Sequence, residues 1–225
     1  MAARFAIGDG YACYRGRVTE GPAHRHAAFQ VAVAGHGEVA MLDASGVCHR
    51  AEVLVVPPMT RHQLLPAADV HTYFVDASSA FADRLRGCSG ITPAAELRGL
   101  REEDVRRASA RASSSLDPRL VAAMDATMAA WELPMPELAE RVGLSPQRLR
   151  ALARRELGMP LARWRVWMRL RRAAEALRDG HSVADAAVTA GFADQAHLTR
   201  WMREMMGLTP SAALSVLRDQ DRRAV

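Results

Sequence analysis

His24-Arg25-His26, with Gln30 four residues on, and His62 at the end of Pro57-Pro58-Met59-Thr60-Arg61-His62 are residue types and spacings that could hold a metal. Residues i and i+2 of a strand point to one face, so His24 and His26 can look the same way. A third imidazole from a neighbouring strand completes a three-nitrogen site, and neutral imidazole suits Zn, Ni, Cu or Fe. The competing reading is that these histidines line a pocket or cap strand ends. His36, His49 and His71 have no such spacing and read as surface or core residues.

A second chemistry sits near the carboxyl end. Gly191-Phe192-Ala193-Asp194-Gln195-Ala196-His197-Leu198-Thr199-Arg200 is followed by Gly207-Leu208-Thr209-Pro210. A weaker copy lies upstream, Gly143-Leu144-Ser145-Pro146-Gln147-Arg148-Leu149-Arg150, followed by Gly158-Met159-Pro160. Each copy reads as a short helix, a Gly turn and a capped second helix, the plan of a unit that places one helix in a major groove. In the first copy Ser145 is the N-cap and Pro146 the first helical residue. Leu149 and Leu152 face in, and Gln147, Arg148, Arg150 and Arg154 are the DNA-facing candidates. In the second, Asp194 is the N-cap, and Leu198 and Met202 face in, with Met205 or Met206 beside them. Gln195, Ala196, Thr199, Arg200 and Arg203 face out, Arg203 toward phosphate. Gln pairs naturally with adenine and Arg with guanine. For any one of these residues a solvated helix face is the alternative; two copies with a matched spacer argue against it.

The elements that must position these groups divide by charge. All 30 basic residues are Arg. Residues 1–133 carry 14 Arg against 15 acidic residues, a net of −1; residues 134–225 carry 16 against 10, a net of +6. A near-neutral front and a basic back point to two domains, of which the second meets a polyanion. The irregularly spaced Cys13, Cys48 and Cys88 speak against a disulfide framework and for a reducing cytoplasm. No apolar run approaches the ~20 residues of a membrane span, and Met1 to Asp9 shows no secretory signal.

The front half reads as strands divided by turns: Phe29–Ala34, Glu38–Leu42, Val53–Val56 and His71–Val75. Short strands at regular spacing indicate a sandwich or barrel. The two histidine patterns resemble the two motifs of the cupin family, a jelly-roll barrel. The resemblance implies that His24, His26 and His62 match that family's metal-binding histidines, that Gln30 stands where its acid would be, and that Met59 stands where its second motif usually has Gly. In the connector, Phe81–Gly90 reads as a short helix, Thr92-Pro93 as the cap of another through Leu97, and the run from Ser109 to Ser115 as a hinge or linker.

Behind Asp117-Pro118, a strong helix start, Leu120, Met124, Met128 and Trp131 read as core. Leu161–Arg178 is a long helix with Trp164, Trp167 or Met168, and Leu170 on its apolar side and Arg163, Arg165, Arg169, Arg171, Arg172 and Arg178 around the rest. At 1.5 Å per residue it spans ~27 Å, enough to set two readers about one turn of DNA apart. Residues 117 to 218 resemble the DNA-binding domain of AraC/XylS-type transcriptional regulators. The Gly-Phe-x-Asp-Gln-x-His pattern, the later Gly-x-Thr-Pro and Ala173-Ala174-x-x-Leu177 stand at that family's spacing. Leu152, Leu198, Met202 and Met206 stand where it usually has aromatic residues. The resemblance implies DNA contacts at Gln147, Arg150, Gln195, Ala196 and Arg200, and an amino-terminal cupin-like effector domain accords with the family.

The sequence therefore predicts an α+β chain of two domains. A cupin-like jelly-roll β-barrel over residues 1–80 senses a small effector or metal, and a helical connector spans 81–116. An all-α domain with tandem helix-turn-helix units over 117–225 binds double-stranded DNA. The expected role is that of a cytoplasmic, bacterial transcription regulator, not an enzyme, that recruits or blocks RNA polymerase and can pair as a homodimer. The rivals are a metal-binding cupin enzyme with a basic helical appendage, a regulator that senses the metal itself, and a DNA-architectural protein without a sensor.

Overall fold

The computed structural model describes residues 3–19, 21–207, 209–211 and 214. The expectations placed on Met1, Ala2, Leu208 and the tail from Ser215 lie outside the described residues.

The front domain holds nine strands among the described residues: β1 (Arg4–Gly8), β2 (Tyr11–Val18), β3 (Ala28–Ala34), β4 (Val39–Asp43), β5 (Cys48–Ala51), β6 (Val53–Val56), β7 (His62–Leu64), β8 (Ala67–Asp76) and β9 (Thr92–Pro93). They form two antiparallel sheets, ordered β1-β2-β8-β3-β6-β9 and β5-β4-β7. The alternation of side chains explains why two cores result. Phe29, Val31, Val53, Val55, Tyr73 and Val75 point toward the helices. Ala32, Leu54, Val56 and Val70 point the other way, onto Val39 and Met41 of the small sheet. The strand Val53-Leu54-Val55-Val56 is apolar throughout because both of its faces are buried.

Two expected connector helices are corrected. Thr92-Pro93 caps no helix; it pairs with Val55 and Leu54 as an edge strand, a place where Pro costs no ladder bond. Only short 3₁₀ turns form at Ala82–Arg84 and Ala95–Leu97. The serine run is stapled rather than free. Asp83 accepts from the Ser113 hydroxyl at 2.5 Å, the Ser115 hydroxyl at 2.7 Å and the Ser114 amide at 3.1 Å.

The helices are α1 (Glu102–Ser109), α2 (Pro118–Ala129), α3 (Met135–Arg141), α4 (Pro146–Leu157), α5 (Leu161–Arg178), α6 (Val183–Thr189) and α7 (Gln195–Met206). Asp117 caps α2 through the Arg119 amide, as expected of Asp before Pro. Along α2, Leu120 and Met124 are buried, but Met128 is 38% exposed and Trp131, beyond the helix end, is half-buried. The helix turns Met128 outward, so it is not core. Trp131 instead carries the Arg169 guanidinium 5.5 Å from its ring centre. Among the described residues no helix is long and apolar enough to cross a membrane.

One apolar core joins both halves. It runs from Val31 and Val75 through Phe81 and Leu85 to Leu149, Trp164, Trp167 and Leu198. The Trp164 indole donates to Asp76 Oδ1 at 3.3 Å, so α5 lies against the front domain. Leu149 and Leu198 are fully buried, each the inward knob of a second helix. Leu149→Ala or Leu198→Ala is expected to cost about 2–5 kcal/mol of stability by cavity formation. Denaturant unfolding of the two variants checks it.

Candidate nucleic-acid interface and metal centre

The two helix-turn-helix units are built alike. In the first, Gly143 adopts φ 66° between α3 and α4, and the Ser145 hydroxyl accepts the Arg148 amide at 3.2 Å to start α4. In the second, Gly191 adopts φ 77° between α6 and α7, and Asp194 Oδ1 accepts the His197 amide at 2.7 Å. Left-handed turns of this kind favour Gly, and a side-chain cap satisfies amides left open at a helix start.

The Gly-Phe-x-Asp-Gln-x-His pattern is thereby explained residue by residue. Phe192 is buried and meets His197 edge to face at 5.4 Å. The Trp201 indole donates to His197 Nε2 at 2.9 Å, so this histidine braces α7.

The anticipated contact residues keep their outward placement. Gln147, Arg148, Arg150 and Arg154 are exposed on α4. Gln195, Ala196, Thr199, Arg200 and Arg203 line one open cleft along α7. Thr199 is half-buried and turns its hydroxyl back to the Gln195 carbonyl at 2.8 Å.

The linker helix is different. Arg163 pairs with Glu204 at 2.7 Å and stacks 4.9 Å from the centre of the Trp201 ring. Arg165 donates to the Leu133 carbonyl at 2.7 Å, and Arg171 pairs with Glu175 at 3.1 Å. Burial lowers the Arg165 pKa, helped by nearby Arg169. Arg163 and Arg165 thus tie α5 to neighbouring segments, while Arg171 is engaged within the helix itself.

In the front domain the fold brings His24, His26 and His62 together, with one ring nitrogen of each within 4.8 Å of the others. His24 and His26 do not lie in a strand. They precede β3, and His24 meets His62 in a single backbone bridge, amide to carbonyl at 2.9 Å in both directions. The Met59 amide donates to the His26 carbonyl at 2.7 Å, and Met59 takes φ 63°. A glycine, which the cupin resemblance would place there, adopts that angle without strain.

Each imidazole is oriented by a backbone carbonyl, which can only accept. His24 Nδ1 donates to Pro22 O at 2.9 Å, His26 Nδ1 to Met205 O at 2.7 Å and His62 Nδ1 to Thr60 O at 2.9 Å. Burial lowers all three pKa values, His62 to about 4, and neighbouring cations or imidazoles add to it. Neutral rings with Nδ1 protonated present bare Nε2 lone pairs. Two of those, on His24 and His26, stand 3.0 Å apart. His62 Nε2 stands 2.6 Å from Gln30 Oε1, a pairing that needs the amide turned to present its NH₂ to the ring lone pair. Converging lone pairs backed by fixed Nδ1–H bonds are what a divalent transition metal requires. The donor set therefore fits the group that the cupin resemblance implies.

Arg86, which the sequence did not mark, reaches from the connector to the carbonyl of Glu156 in the last turn of α4. It also donates to the Ala77 carbonyl at 2.5 Å and pairs with Asp83 at 3.1 Å. Only tertiary folding brings these acceptors together, so no spacing along the chain announces them.

A family model described as a helix-turn-helix domain matches residues 138–215. No curated protein matches the sequence. Among solved structures, ToxT from Vibrio cholerae O395 is 11% identical, with 92% of this chain and 98% of that one covered and a TM-score of 0.61. ToxT from V. cholerae strain SCE256 with an unsaturated fatty acid bound is 10% identical, with 93% and 96% covered and a TM-score of 0.61. A regulator with an AraC-type DNA-binding domain from Chromobacterium violaceum is 24% identical over 44% of this chain and 92% of that one, with a TM-score of 0.42. The ToxT likenesses show the fold, an amino-terminal antiparallel sheet domain followed by a helical domain. With two units built alike and the family match over residues 138–215, the back half of the chain carries a helix-turn-helix domain.

Proposed function

We propose that α4 and α7 read two successive major grooves of a promoter, with Gln147, Arg150, Gln195, Ala196 and Arg200 toward base edges and Arg148, Arg154 and Arg203 toward phosphates. Thr199 supports the start of α7. The observation that carries this reading is the shared exposure of the leading residues of both helices in two units built alike. On this reading the chain works in the cytoplasm and recruits or blocks RNA polymerase, alone or as a homodimer.

Arg200→Ala is expected to cost about 1–3 kcal/mol of DNA affinity and to relax specificity at one base pair. Selection of binding sites by the full chain, followed by anisotropy titrations with single-base variants, checks it. An unchanged base preference would remove Arg200 from the readers.

The front domain is proposed as the sensor, with His24, His26 and His62 holding Zn, Ni, Cu or Fe and Gln30 beside them. Such a metal would act as a Lewis acid with an open coordination position for an effector group. A cleft of about 340 Å³ opens beside the cluster, lined by Phe5, Val18, Leu64, Phe74 and Met206 together with Arg17. ToxT has been solved with an unsaturated fatty acid bound. A guanidinium among apolar walls suits the same ligand class, an apolar carboxylate. A cupin-enzyme role finds less support, because a neutral amide, Gln30, stands in the place of the acid.

A further inference from the structure

The connector and the front domain each grip one reading helix by a last-turn carbonyl, and they do so with chemically different hands. At the end of α4 the Glu156 carbonyl accepts from Arg86. At the end of α7 the Met205 carbonyl accepts from His26 Nδ1. Carbonyls in a last helical turn lack an intrahelical partner, so each of these donors satisfies a group that would otherwise need water or a cap. The glycines that end the two helices, Gly158 and Gly207, share a left-handed conformation, φ 71° and 69°. Each glycine abuts one of the two histidine motifs. A Cβ on Gly158 would lie 3.9 Å from Pro58, and one on Gly207 would lie 2.9 Å from His24 Nδ1.

The two grips differ in what they answer to. Arg86 is always cationic, and its remaining donors are held by Ala77 and Asp83, so its hold on α4 is independent of the histidine cluster. The other nitrogen of His26, Nε2, stands 3.0 Å from His24 Nε2 inside the cluster. A metal on Nε2 would fix the ring and polarise the Nδ1–H that holds α7.

We infer that Arg86 and His26 are positioning residues for the two reading heads, and that occupancy of the three-histidine cluster is transmitted to the second head alone. The first head is a fixed reference, and the second is the adjustable one. This rests on the cluster binding a metal as proposed above. Because coupling is reciprocal, DNA bound by the second head must change metal affinity by the same factor.

The test uses the full chain and Zn(II) alone. Competition with a chromophoric chelator first establishes whether zinc binds; no binding removes the cluster reading, and this inference with it. Where zinc binds, hydrogen exchange is followed at the ends of both helices. The expected result is slowing of at least about fivefold over residues 203–207, with residues 154–158 unchanged. DNA affinity is then compared with and without zinc. The zinc-dependent factor is expected to persist in Arg150→Ala and to fall to about one in Arg200→Ala. Equal protection of both helix ends, protection of neither, or a zinc factor that survives Arg200→Ala would overturn the inference while leaving the metal site standing.

Discussion

Raising monovalent salt from 50 to 200 mM is expected to weaken DNA binding between about 10²- and 10³-fold, as each neutralised phosphate adds about 0.9 to the log–log slope. The estimate follows from where the arginines lie. Arg148, Arg150, Arg154, Arg155, Arg200 and Arg203 are exposed on the two reading helices. Arg155 also touches Glu156 at 2.7 Å, a surface pair that water and salt loosen easily. Most of the linker-helix arginines are occupied by Glu204, the Leu133 carbonyl, Glu175 and the Trp131 ring, so they add little to the count. Had all of them met phosphate, the slope would be nearly twice as steep. Anisotropy titrations across salt concentrations measure it, and Arg154→Ala should lower the slope by about one without altering base preference. A slope near zero would mean that the helices do not dock on duplex.

That count could not be made from the sequence, and the reason is physical. The helical period placed Leu149, Leu152 and Leu198 inside, and the caps Ser145, Asp194 and Asp117 were legible because their chemistry is local. The extent of Leu161–Arg178 was legible too. Partners distant in the chain were not. Nothing near Arg165 announces the Leu133 carbonyl, and nothing near Asp83 announces three serines some 30 residues away. Short strands such as Cys48–Ala51 and His62–Leu64 carry too little alternation to stand out. Thr92-Pro93 misled because a Thr-Pro pair opens a helix or ends a sheet with equal ease. Spacing alone marks the three histidines, and a strand through residues 24–26 would align two of them. They converge by another route: the turn at Met59 and the bridge between His24 and His62 fold the two motifs onto each other.

The convergence makes a strong demand. His62→Ala is expected to weaken Zn(II) or Ni(II) binding by more than about 100-fold, since even the loss of a group that merely orients a ligand costs 10- to 100-fold. The wild-type chain should gain thermal stability when metal is added, about 2.7 kcal/mol at a hundredfold excess over its dissociation constant. The variant should gain none. Two controls separate ligation from general damage. His49 pairs with Asp43 at 2.9 Å and lies outside the cluster, so His49→Ala should leave metal affinity unchanged. Gln30→Glu places an anionic oxygen where Gln30 Oε1 now stands 2.6 Å from His62 Nε2, and should tighten metal binding. The Nε2 atoms of His24 and His26 stand 3.0 Å apart, close enough for one cation to bond both, so the stability gained on metal addition should be lost when any one of the three rings is removed. Equal metal affinity in His62→Ala and wild type would show that the rings only line the cleft beside Arg17, leaving a metal-free effector site as the sensor.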